Sequence, residues 1–470
     1  MNPTIPGVSI HEIPTLPASI VPIATAIPAF IGYTHKRPIV DGQPLPRYKP
    51  HKITSFTEYM EKFGVLPNDD WTPNEGITVS VIDNIITEVS RSAISPHILQ
   101  YAIQMYFENG GSDCYISSIG GTTDGTFPGT VDSDALKAGL DTVGGEDEPT
   151  LIVMPEAGLP EDTVPNPNIP VNGLTATDYH TRINEALTQC RERQDRFVII
   201  DAKGESTDEV QGATLENVMY GAVYHPFLRT SIALRFKEAD VTVNIDGTSG
   251  TLSGLITNDP TTTRTQLYNR IKAEIRRQLT VILPPSSAVA GIYARVDRNK
   301  GVWKSPANEV LNYTIETNTK VTPKRHGELN VVPGSGRSIN VIRAIPGRGI
   351  RVMGARTLDG NSNEFRYVSV RRLFTFIEQS AKAALLDQVF ENNSAVTWLR
   401  VKSMIDSFLT RIWRDGALFG AKPEDAFFVN VGRETMSNED ILNGILRVRI
   451  GLSAVRPAEF IVLEFSHFIN

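Results

Sequence analysis

Two short apolar runs with a helical segment between them constrain the fold of this chain most. The runs TLIVMP (150–155) and RFVIIDAK (196–203) have the length of β-strands, and residues 178–194 have the spacing of an amphipathic helix. Strands without polar alternation are covered on both faces, so the pattern predicts a strand–helix–strand unit in an at least partly parallel sheet. The predicted fold class is therefore mixed α/β.

The pattern changes at about residue 366, where long helices begin. Residues 368–393 and 396–420 carry apolar side chains about four positions apart, which predicts two amphipathic helices joined as an αα-hairpin. AFFVNV (426–431) and LRVRIGL (446–452) follow as predicted strands of a small sheet, with a short helix over 438–445 between them. The last hundred residues therefore form a predicted domain of their own.

Both ends of the chain have the pattern of extended segments without a partner. Ile461, Leu463 and Phe465 share one face at period two, and Val8 and Ile10 have the same spacing in an N-terminal stretch with four prolines over residues 3–17. Unpaired strand edges recruit other chains. The ends therefore either fold back onto their own domain or pair with a neighbouring molecule.

Composition narrows the class of protein. The chain has 470 residues, enough for about three domains, and its net charge of −7 argues against a non-specific nucleic-acid binder. Two cysteines, Cys114 and Cys190, make neither a disulfide framework nor a metal quartet. The apolar stretch 16–34 is interrupted by prolines and follows no Lys or Arg, so we expect neither a signal peptide nor a membrane span.

Motifs that carry catalysis are missing from the sequence. The glycine-rich GSGRS (334–338) and GRG (347–349) lack the spacing of a phosphate-binding loop. Residues 359–365 begin like a calcium loop, but Glu364 stands at the glycine position and Val370 at the position of the bidentate glutamate. We therefore expect no catalytic residue, metal or cofactor, and a structural or binding role, with an α/β enzyme of unknown reaction as the alternative.

The segment AGIYARVDRNKGVWKSPAN (290–308) resembles the signature of the contractile tail sheath proteins of phages, R-type bacteriocins and phage-like injection particles. Further blocks resemble the family in order, from PGVSIHEI (6–13) to IGLSAVRPAEFIVLEF (450–465). Met353 stands where the family has a tryptophan, and stretches near 67–95, 155–175 and 236–265 match no block and are interpreted as insertions. The matching signature residues are Tyr293, Arg295, Asp297, Trp303, Pro306, Asn308, Arg456 and Pro457.

The resemblance implies a multidomain subunit that polymerises helically around an inner tube and contracts to drive the tube through a target envelope. It implies an N-terminal arm (1–22), an outer α/β domain with insertions (23–365) and a tube-facing assembly domain (366–470). The implied partners are other copies of the chain, the inner tube, and baseplate and terminal cap proteins, without nucleic acid, membrane insertion or cofactor. The implied setting is assembly in the bacterial cytoplasm as part of a phage tail or phage-like particle.

The resemblance also gives the terminal segments a role, because sheath subunits complete a shared sheet with strands from neighbours. The predicted strand-exchange residues are Val8, Ile10, Ile461, Leu463 and Phe465. Glu439 and Asp440 are candidate tube contacts, with a solvated helix start as the alternative. Arg447 and Arg449 alternate on a strand, and either pair with an acidic neighbour or face water.

Overall fold

The computed structural model describes residues 20–64, 76–92, 95–121, 129–162, 166, 168–257 and 262–460. The five predicted strand-exchange residues lie outside the described residues. Within the described ranges the chain divides into two compact units, a larger one (24–375 and 456–460) and a smaller one (20–23 and 376–455). The unit boundary at 375 differs by ten residues from the boundary predicted from the sequence. No helix among the described residues is long and apolar enough to cross a membrane.

The strands are short and most belong to the larger unit. In chain order they are β1 (Pro28–Thr34), β2 (Ile39–Val40), β3 (Gln43–Pro44), β4 (His51–Ile53), β5 (Ile77–Ile82), β6 (Ile85–Arg91), β7 (Cys114–Gly121), β8 (Leu151–Val153), β9 (Phe197–Asp201), β10 (Gly221–His225), β11 (Leu228–Thr230), β12 (Thr242–Ile245), β13 (Thr248–Thr251), β14 (Ile282–Leu283), β15 (Glu309–Val310), β16 (Thr314–Thr317), β17 (Ile339–Ile345), β18 (Gly349–Val352), β19 (Phe427–Val431) and β20 (Val448–Leu452).

The α-helices alternate with these strands and become long near the C-terminus. In chain order they are α1 (Phe56–Phe63), α2 (Leu99–Glu108), α3 (Ser133–Val143), α4 (Ala176–Arg193), α5 (Thr207–Gly212), α6 (Gly254–Thr257), α7 (Thr262–Gln278), α8 (Ser286–Lys300), α9 (Pro323–Asn330), α10 (Val368–Leu385), α11 (Ala395–Arg414), α12 (Pro423–Ala426) and α13 (Asn438–Leu442).

A nine-stranded sheet forms the centre of the larger unit. Its order is β15-β18-β17-β10-β9-β8-β1-β7-β4, and the six strands from β17 to β7 are parallel to one another. The predicted strand–helix–strand unit is β8–α4–β9, whose strands pair directly with Leu151 opposite Phe197. The prediction of a mixed α/β fold with a covered, partly parallel sheet is confirmed.

Both faces of this sheet are buried because its strands carry apolar side chains at consecutive positions. Phe30 on β1 packs into the cluster that contains Leu99 of α2 and Ala290 of α8. The next residue, Ile31, packs into the cluster that contains Leu136 of α3 and Leu187 of α4. Helices therefore cover the sheet on both sides, as expected for uninterrupted apolar strands.

Two of the stretches that match no family block build one separate sheet. Its order is β13-β12-β5-β6, so strands from residues 77–91 and 242–251 lie side by side. The two stretches meet where β12 pairs in parallel with β5, Thr242 opposite Thr78. β12 and β13 form a hairpin, and its turn contains Asp246 and Gly247, both with positive φ.

In the smaller unit, α11 and the part of α10 from residue 376 onward pack together, with the rings of Phe376 and Phe408 6.1 Å apart. The predicted αα-hairpin is therefore present. β19 and β20 pair antiparallel, with Phe427 opposite Leu452, and α11 packs against β19. The predicted small sheet and the short helix α13 are present as well.

Candidate assembly site

The small sheet of the smaller unit has two open edges among the described residues. β19 and β20 pair only with each other there, so each strand leaves a row of backbone N–H and C=O groups on its outer side. Val429 is 3% exposed, whereas Phe428 is 51% exposed on the opposite face. A sheet of two strands is marginal by itself. The open edges are therefore suited to accept strands from elsewhere.

One glycine lets the exposed face of this sheet form. A Cβ at Gly451 would lie 2.1 Å from the ring of Phe428, which occupies the space across the strand pair. Since Phe428 and Gly451 stand opposite each other, the aromatic ring covers a position where any side chain would displace it. The partly exposed ring of Phe428 thus lies over the backbone of β20 at Gly451.

The segment after β20 remains bound to the smaller unit up to Val455. The Phe419 N–H donates to the Ser453 carbonyl at 2.7 Å, and the Val455 N–H donates to the Ala417 carbonyl at 3.1 Å. These bonds hold residues 453–455, the first three residues after β20. A freely jointed segment cannot begin before Arg456.

The four candidate contacts with the tube or a neighbour, Glu439, Asp440, Arg447 and Arg449, lie on and after α13. Asp440 forms a capping box with Ser437, and its carboxylate lies 2.9 Å from Nη2 of Arg447. The hydrogen bond from Arg447 is the main cause that lowers the pKa of Asp440 to about 2. Two of the four candidates therefore bind each other, while Glu439 and Arg449 are exposed.

Three signature residues of α8 act as braces inside the larger unit. The hydroxyl of Tyr293 lies 2.6 Å from that of Tyr224, and burial raises the pKa of Tyr293 well above its usual value. Arg295 donates to the carbonyls of Asn109 and Val310, at 3.0 and 2.7 Å. These bonds join α8 to the end of α2 and to β15.

Asp297 is the third of these braces. Its carboxylate lies 2.5 Å from Nη2 of Arg372, and both side chains are nearly buried. Thr25 Oγ1 also donates to Asp297 at 2.6 Å. The guanidinium of Arg372 lies 4.7 Å above the Tyr293 ring. Sequence reasoning missed Arg372, although two adjacent arginines at 371 and 372 inside an apolar helical stretch were a visible signal.

The second half of the signature shapes a turn. Gly301 has a φ of +86°, and a Cβ there would lie 2.4 Å from the ring of Trp303, which excludes other residues. Pro306 is buried, and Asn308 has a φ of 60° while its N–H donates to the Val352 carbonyl at 2.7 Å. These residues connect α8 to β15 and β18.

Arg456 and Pro457 lie where the chain returns to the larger unit. Arg456 donates to the Asn363 carbonyl at 2.6 Å, and Pro457 is half-buried. Two residues later, the carboxylate of Glu459 lies 2.7 Å from the 4% exposed guanidinium of Arg356. Neither member of this ion pair was identified from the sequence, because a single Arg or Glu gives no pattern.

The central sheet reverses strand order between β1 and β8, the position where α/β folds of this type bind ligands. Here the carboxylate of Glu156 lies at that position, fully buried. It accepts hydrogen bonds from the N–H groups of Tyr33, Ile98 and Leu99 at 2.9, 3.0 and 3.3 Å. Glu156 thereby caps α2, whose N-cap residue Ile98 makes no side-chain capping bond.

Comparisons with known proteins agree with this arrangement. The family described as the phage tail sheath C-terminal domain matches residues 361–467. The tail sheath protein of Vibrio phage KVP40 (isolate Vibrio parahaemolyticus/Japan/Matsuzaki/1991) is 27% identical over 137 residues. That match covers 29% of this chain and spans about a fifth, 20%, of the relative's length.

Solved structures match nearly the whole chain. The helical sheath of the anti-feeding prophage (AFP) in the contracted state is 29% identical, with a TM-score of 0.63 and coverage of 99% of both chains. The PVC sheath complex of an extracellular contractile injection system, in the contracted state, is 27% identical with a TM-score of 0.63, covering 99% of this chain and 98% of the other. These relatives are structural proteins, so the enzyme alternative is not favoured, and the chain is similar to contractile tail sheath proteins over nearly its whole length.

Proposed function

We propose that this chain polymerises helically around an inner tube and contracts to drive the tube through a target envelope. The observation that carries this proposal is the likeness over 99% of the chain to a sheath complex in the contracted state. The subunit is then a component of a phage tail or phage-like injection particle. The energy for movement is stored in the assembled lattice, so the chain performs no bond chemistry.

In this proposal, strands from neighbouring copies complete the small sheet. The strand with Val8 and Ile10 from one copy, and the strand with Ile461, Leu463 and Phe465 from another, pair with the open edges of β19 and β20. The open edges support this assignment, and backbone pairing with pockets for alternate side chains is the general mode of strand addition. The sheet grows from two strands to four.

The strength of one such link follows from its parts. A strand over 459–467 offers about four cross-strand hydrogen bonds worth ~1 kcal/mol each. Burying its three apolar side chains adds about 1.5–3 kcal/mol each. One link is then worth roughly 8–13 kcal/mol before the ordering cost. Links of this size hold neighbouring subunits together while the subunits rotate.

The remaining partners follow from the same assembly. The inner tube lies against the assembly domain, and the exposed Glu439 and Arg449 are its candidate contacts or contacts of a neighbouring subunit. Baseplate and cap proteins bind the two ends of the sheath. Assembly takes place in the bacterial cytoplasm.

Negative-stain electron microscopy of the purified full chain tests the proposal. Tubes or stacked rings of uniform diameter are the expected result. A stable monomer under all conditions, together with catalytic turnover of a substrate, would overturn it. Co-expression with the inner tube protein is the second arm, and there the expected result is a sheath that encloses a narrower tube.

A further inference from the structure

One phenylalanine at the turn of the αα-hairpin is exposed and has a strained backbone. Phe390 lies between α10 and α11, and its side chain is fully exposed. Its φ is +72°, in the left-handed region that a bulky side chain rarely adopts. Leu386 and Val389 beside it are exposed as well. A strained backbone that holds an aromatic ring in water points to a contact outside the subunit.

Hydrogen bonds fix the turn that carries Phe390. At the start of α11, Thr397 Oγ1 donates to the Asn392 carbonyl at 2.7 Å. In the next turn of chain, Trp398 Nε1 donates to Asn393 Oδ1 at 2.6 Å. Both bonds join the residues that follow Phe390 to the first turn of the helix. The turn therefore presents the ring from a fixed position.

A second exposed apolar surface lies on the outer face of the small sheet. Phe419 is 70% exposed and Phe428 is 51% exposed. The next residue to each along the chain, Leu418 and Val429, is buried. Because successive side chains of an extended segment point to opposite faces, both phenylalanines lie on the face directed away from the core.

The strand opposite these two phenylalanines has small side chains on the same face. Gly451 stands opposite Phe428, and the Ser453 carbonyl accepts a hydrogen bond from the Phe419 N–H at 2.7 Å. Arg449 precedes Gly451 by two residues, so it shares this outer face and is exposed there. The face thus offers two aromatic rings, small residues across from them and one cation.

The charges of the two surfaces are complementary. Arg449 makes no ion pair with any residue that the structure describes, and the same holds for the exposed Asp387, three residues before Phe390. Glu391, on the other side of Phe390, lies 3.8 Å from Arg400 in an exposed pair. Asp387 is therefore the charge of the turn that is available to Arg449.

The two surfaces cannot meet within one chain, because α11 separates them. Phe390 precedes this helix and Phe419 follows it, and the 20 residues of the helix span about 30 Å. Surfaces at opposite ends of one rigid element fit a head-to-tail contact between copies. Such heterologous contacts generate rings or helical filaments, and the AFP sheath that this chain resembles is helical.

We propose that the hairpin turn of each chain packs on the outer face of the small sheet of a neighbouring copy. The ring of Phe390 then lies between Phe419 and Phe428, where aromatic rings attract one another. Asp387 lies beside Arg449. The proposal rests on the proposed sheath function and adds a side-chain contact to the strand pairing at the edges of the same sheet.

Cysteine cross-linking of the purified full chain tests this contact. Val389→Cys and Ser453→Cys in one chain keep all the aromatic rings and place one thiol beside each surface. A short bis-maleimide is expected to give ladders of dimers, trimers and longer products. The native Cys114 and Cys190 are buried and do not compete. Val389→Cys with Ser407→Cys is the matched control, because Ser407 is exposed on α11 outside the proposed contact.

Mass spectrometry of mixed isotope-labelled and unlabelled chains identifies the linked copies. A link between residues 389 and 453 of different copies, at least tenfold more frequent than the link in the control pair, supports the proposal. A link within one copy would show that the two surfaces meet in the same chain. A yield equal to the control would show that they do not meet, and either result overturns the proposal.

Further variants in the cross-linking chain separate a contact from a structural role. Phe390→Asn removes the ring but keeps a residue that tolerates positive φ. The cross-link yield should fall several-fold while the melting temperature of the unassembled subunit stays equal or rises. Leu442→Asn, at another exposed apolar position of the smaller unit, should leave the yield unchanged. A yield that Phe390→Asn does not lower would overturn the contact.

A charge exchange tests the ionic part of the contact. Arg449→Asp should lower the cross-link yield several-fold, and Asp387→Arg added to the same chain should restore it. No recovery in the exchanged chain would overturn the pairing of Asp387 with Arg449.

The cross-link and the proposed function fail separately. Wild-type tubes together with a cross-link yield equal to the control would overturn the contact and leave the sheath function in place. A wild-type chain that forms no tubes, but whose cysteine variant gives the tenfold excess, would overturn the function and retain the contact.

Discussion

Asp297 and Arg372 form a buried ion pair at the place where the chain passes twice between its two units. Nη2 of Arg372 lies 2.5 Å from the Asp297 carboxylate and also donates to the Thr25 carbonyl at 2.7 Å. The chain enters the larger unit at residue 24 and leaves it after residue 375. This ion pair therefore binds both segments that lead from the larger unit to the smaller one, near residues 25 and 372, to α8 of the larger unit. The signature aspartate has a structural role that its sequence context did not reveal.

Removing this carboxylate should destabilise the larger unit strongly. Asp297→Asn leaves the guanidinium of Arg372 buried without its counter-charge, and breaking a buried pair costs about 3–5 kcal/mol. Urea unfolding of the unassembled subunit measures the change. Asp141→Asn is the control, since Asp141 pairs with Lys137 on the surface and such pairs contribute about 0–1 kcal/mol. Equal losses in the two variants would contradict the assignment.

The chain returns to the larger unit after residue 455, and Glu459 follows this third crossing between the two units. Burial raises the pKa of Glu459, but the hydrogen bonds from Arg356, Asn330 and Tyr367 together lower it by more than burial raises it. The pKa of Glu459 therefore lies below its usual value of 4.5. Because the folded pKa is depressed, the stabilisation is complete above pH 4.5 and is lost as the pH falls through the folded pKa.

Glu459→Gln should therefore reduce the free energy of unfolding at pH 6 by about 1–3 kcal/mol, the value of a hydrogen bond to a charged group. The difference from the wild type should shrink towards pH 3. Urea titrations at several pH values measure both effects. Glu364→Gln, at an exposed position of the same unit, serves as the control. A difference that does not vary with pH would refute the role of the Glu459 charge.

The buried Glu156 should make the larger unit less stable at alkaline pH. Burial raises its pKa to about 8, although three backbone N–H groups lower it. A folded pKa above the unfolded value of 4.5 means that the stability is complete below pH 4.5 and is lost as the pH rises through about 8. The loss between these limits is up to about 4–5 kcal/mol, at 1.36 kcal/mol per pKa unit.

Glu156→Gln removes the titration, so its free energy of unfolding should rise relative to the wild type between pH 5 and pH 9. Guanidinium unfolding across this range measures how the difference in free energy of unfolding between variant and wild type changes with pH. A pH-independent destabilisation caused by the glutamine amide does not alter this change. Glu192→Gln, on the exposed side of α4, should follow the wild type. Parallel pH curves for Glu156→Gln and the wild type would contradict the prediction.

The spacing of apolar residues within short stretches of sequence predicted the helices and strands that form within such stretches. The β8–α4–β9 unit and the pair of helices α10 and α11 follow from apolar spacing within about fifty residues. The pairing of β5 with β12 was not predictable, because it joins two stretches about 160 residues apart and depends on long-range contacts. The roles of Arg372 and Arg356 were hidden for the same reason, since a helix or loop arginine is usually solvated.

The length of the N-terminal arm should control assembly. Inserting Gly-Gly-Ser after Glu12 lengthens the strand's connection to its subunit without changing the strand itself, so neighbouring copies lose their spacing. We expect tubes that assemble but fail to contract, or no tubes, while the melting temperature of the unassembled subunit stays within about 1 °C of the wild type. Electron microscopy before and after a contraction trigger measures the effect, and normal contraction would reject the linkage.

The C-terminal strand should act through one face only. Changing Ile461, Leu463 and Phe465 together to serine removes about 1.5–3 kcal/mol of apolar burial per residue from the link between subunits. Assembly should be lost while the unassembled subunit keeps its unfolding midpoint, because the strand is completed by another copy. Sedimentation and electron microscopy measure the assembly.

Glu464→Ser tests the opposite face of the same strand and should assemble normally, since alternate side chains point away from each other. If the triple variant instead lowered the unfolding midpoint of the isolated subunit, the strand would belong to its own chain. A variant that forms tubes as well as Glu464→Ser would exclude the strand from the link altogether. The two measurements together therefore distinguish a strand given to a neighbour, a strand folded back and a strand without a role.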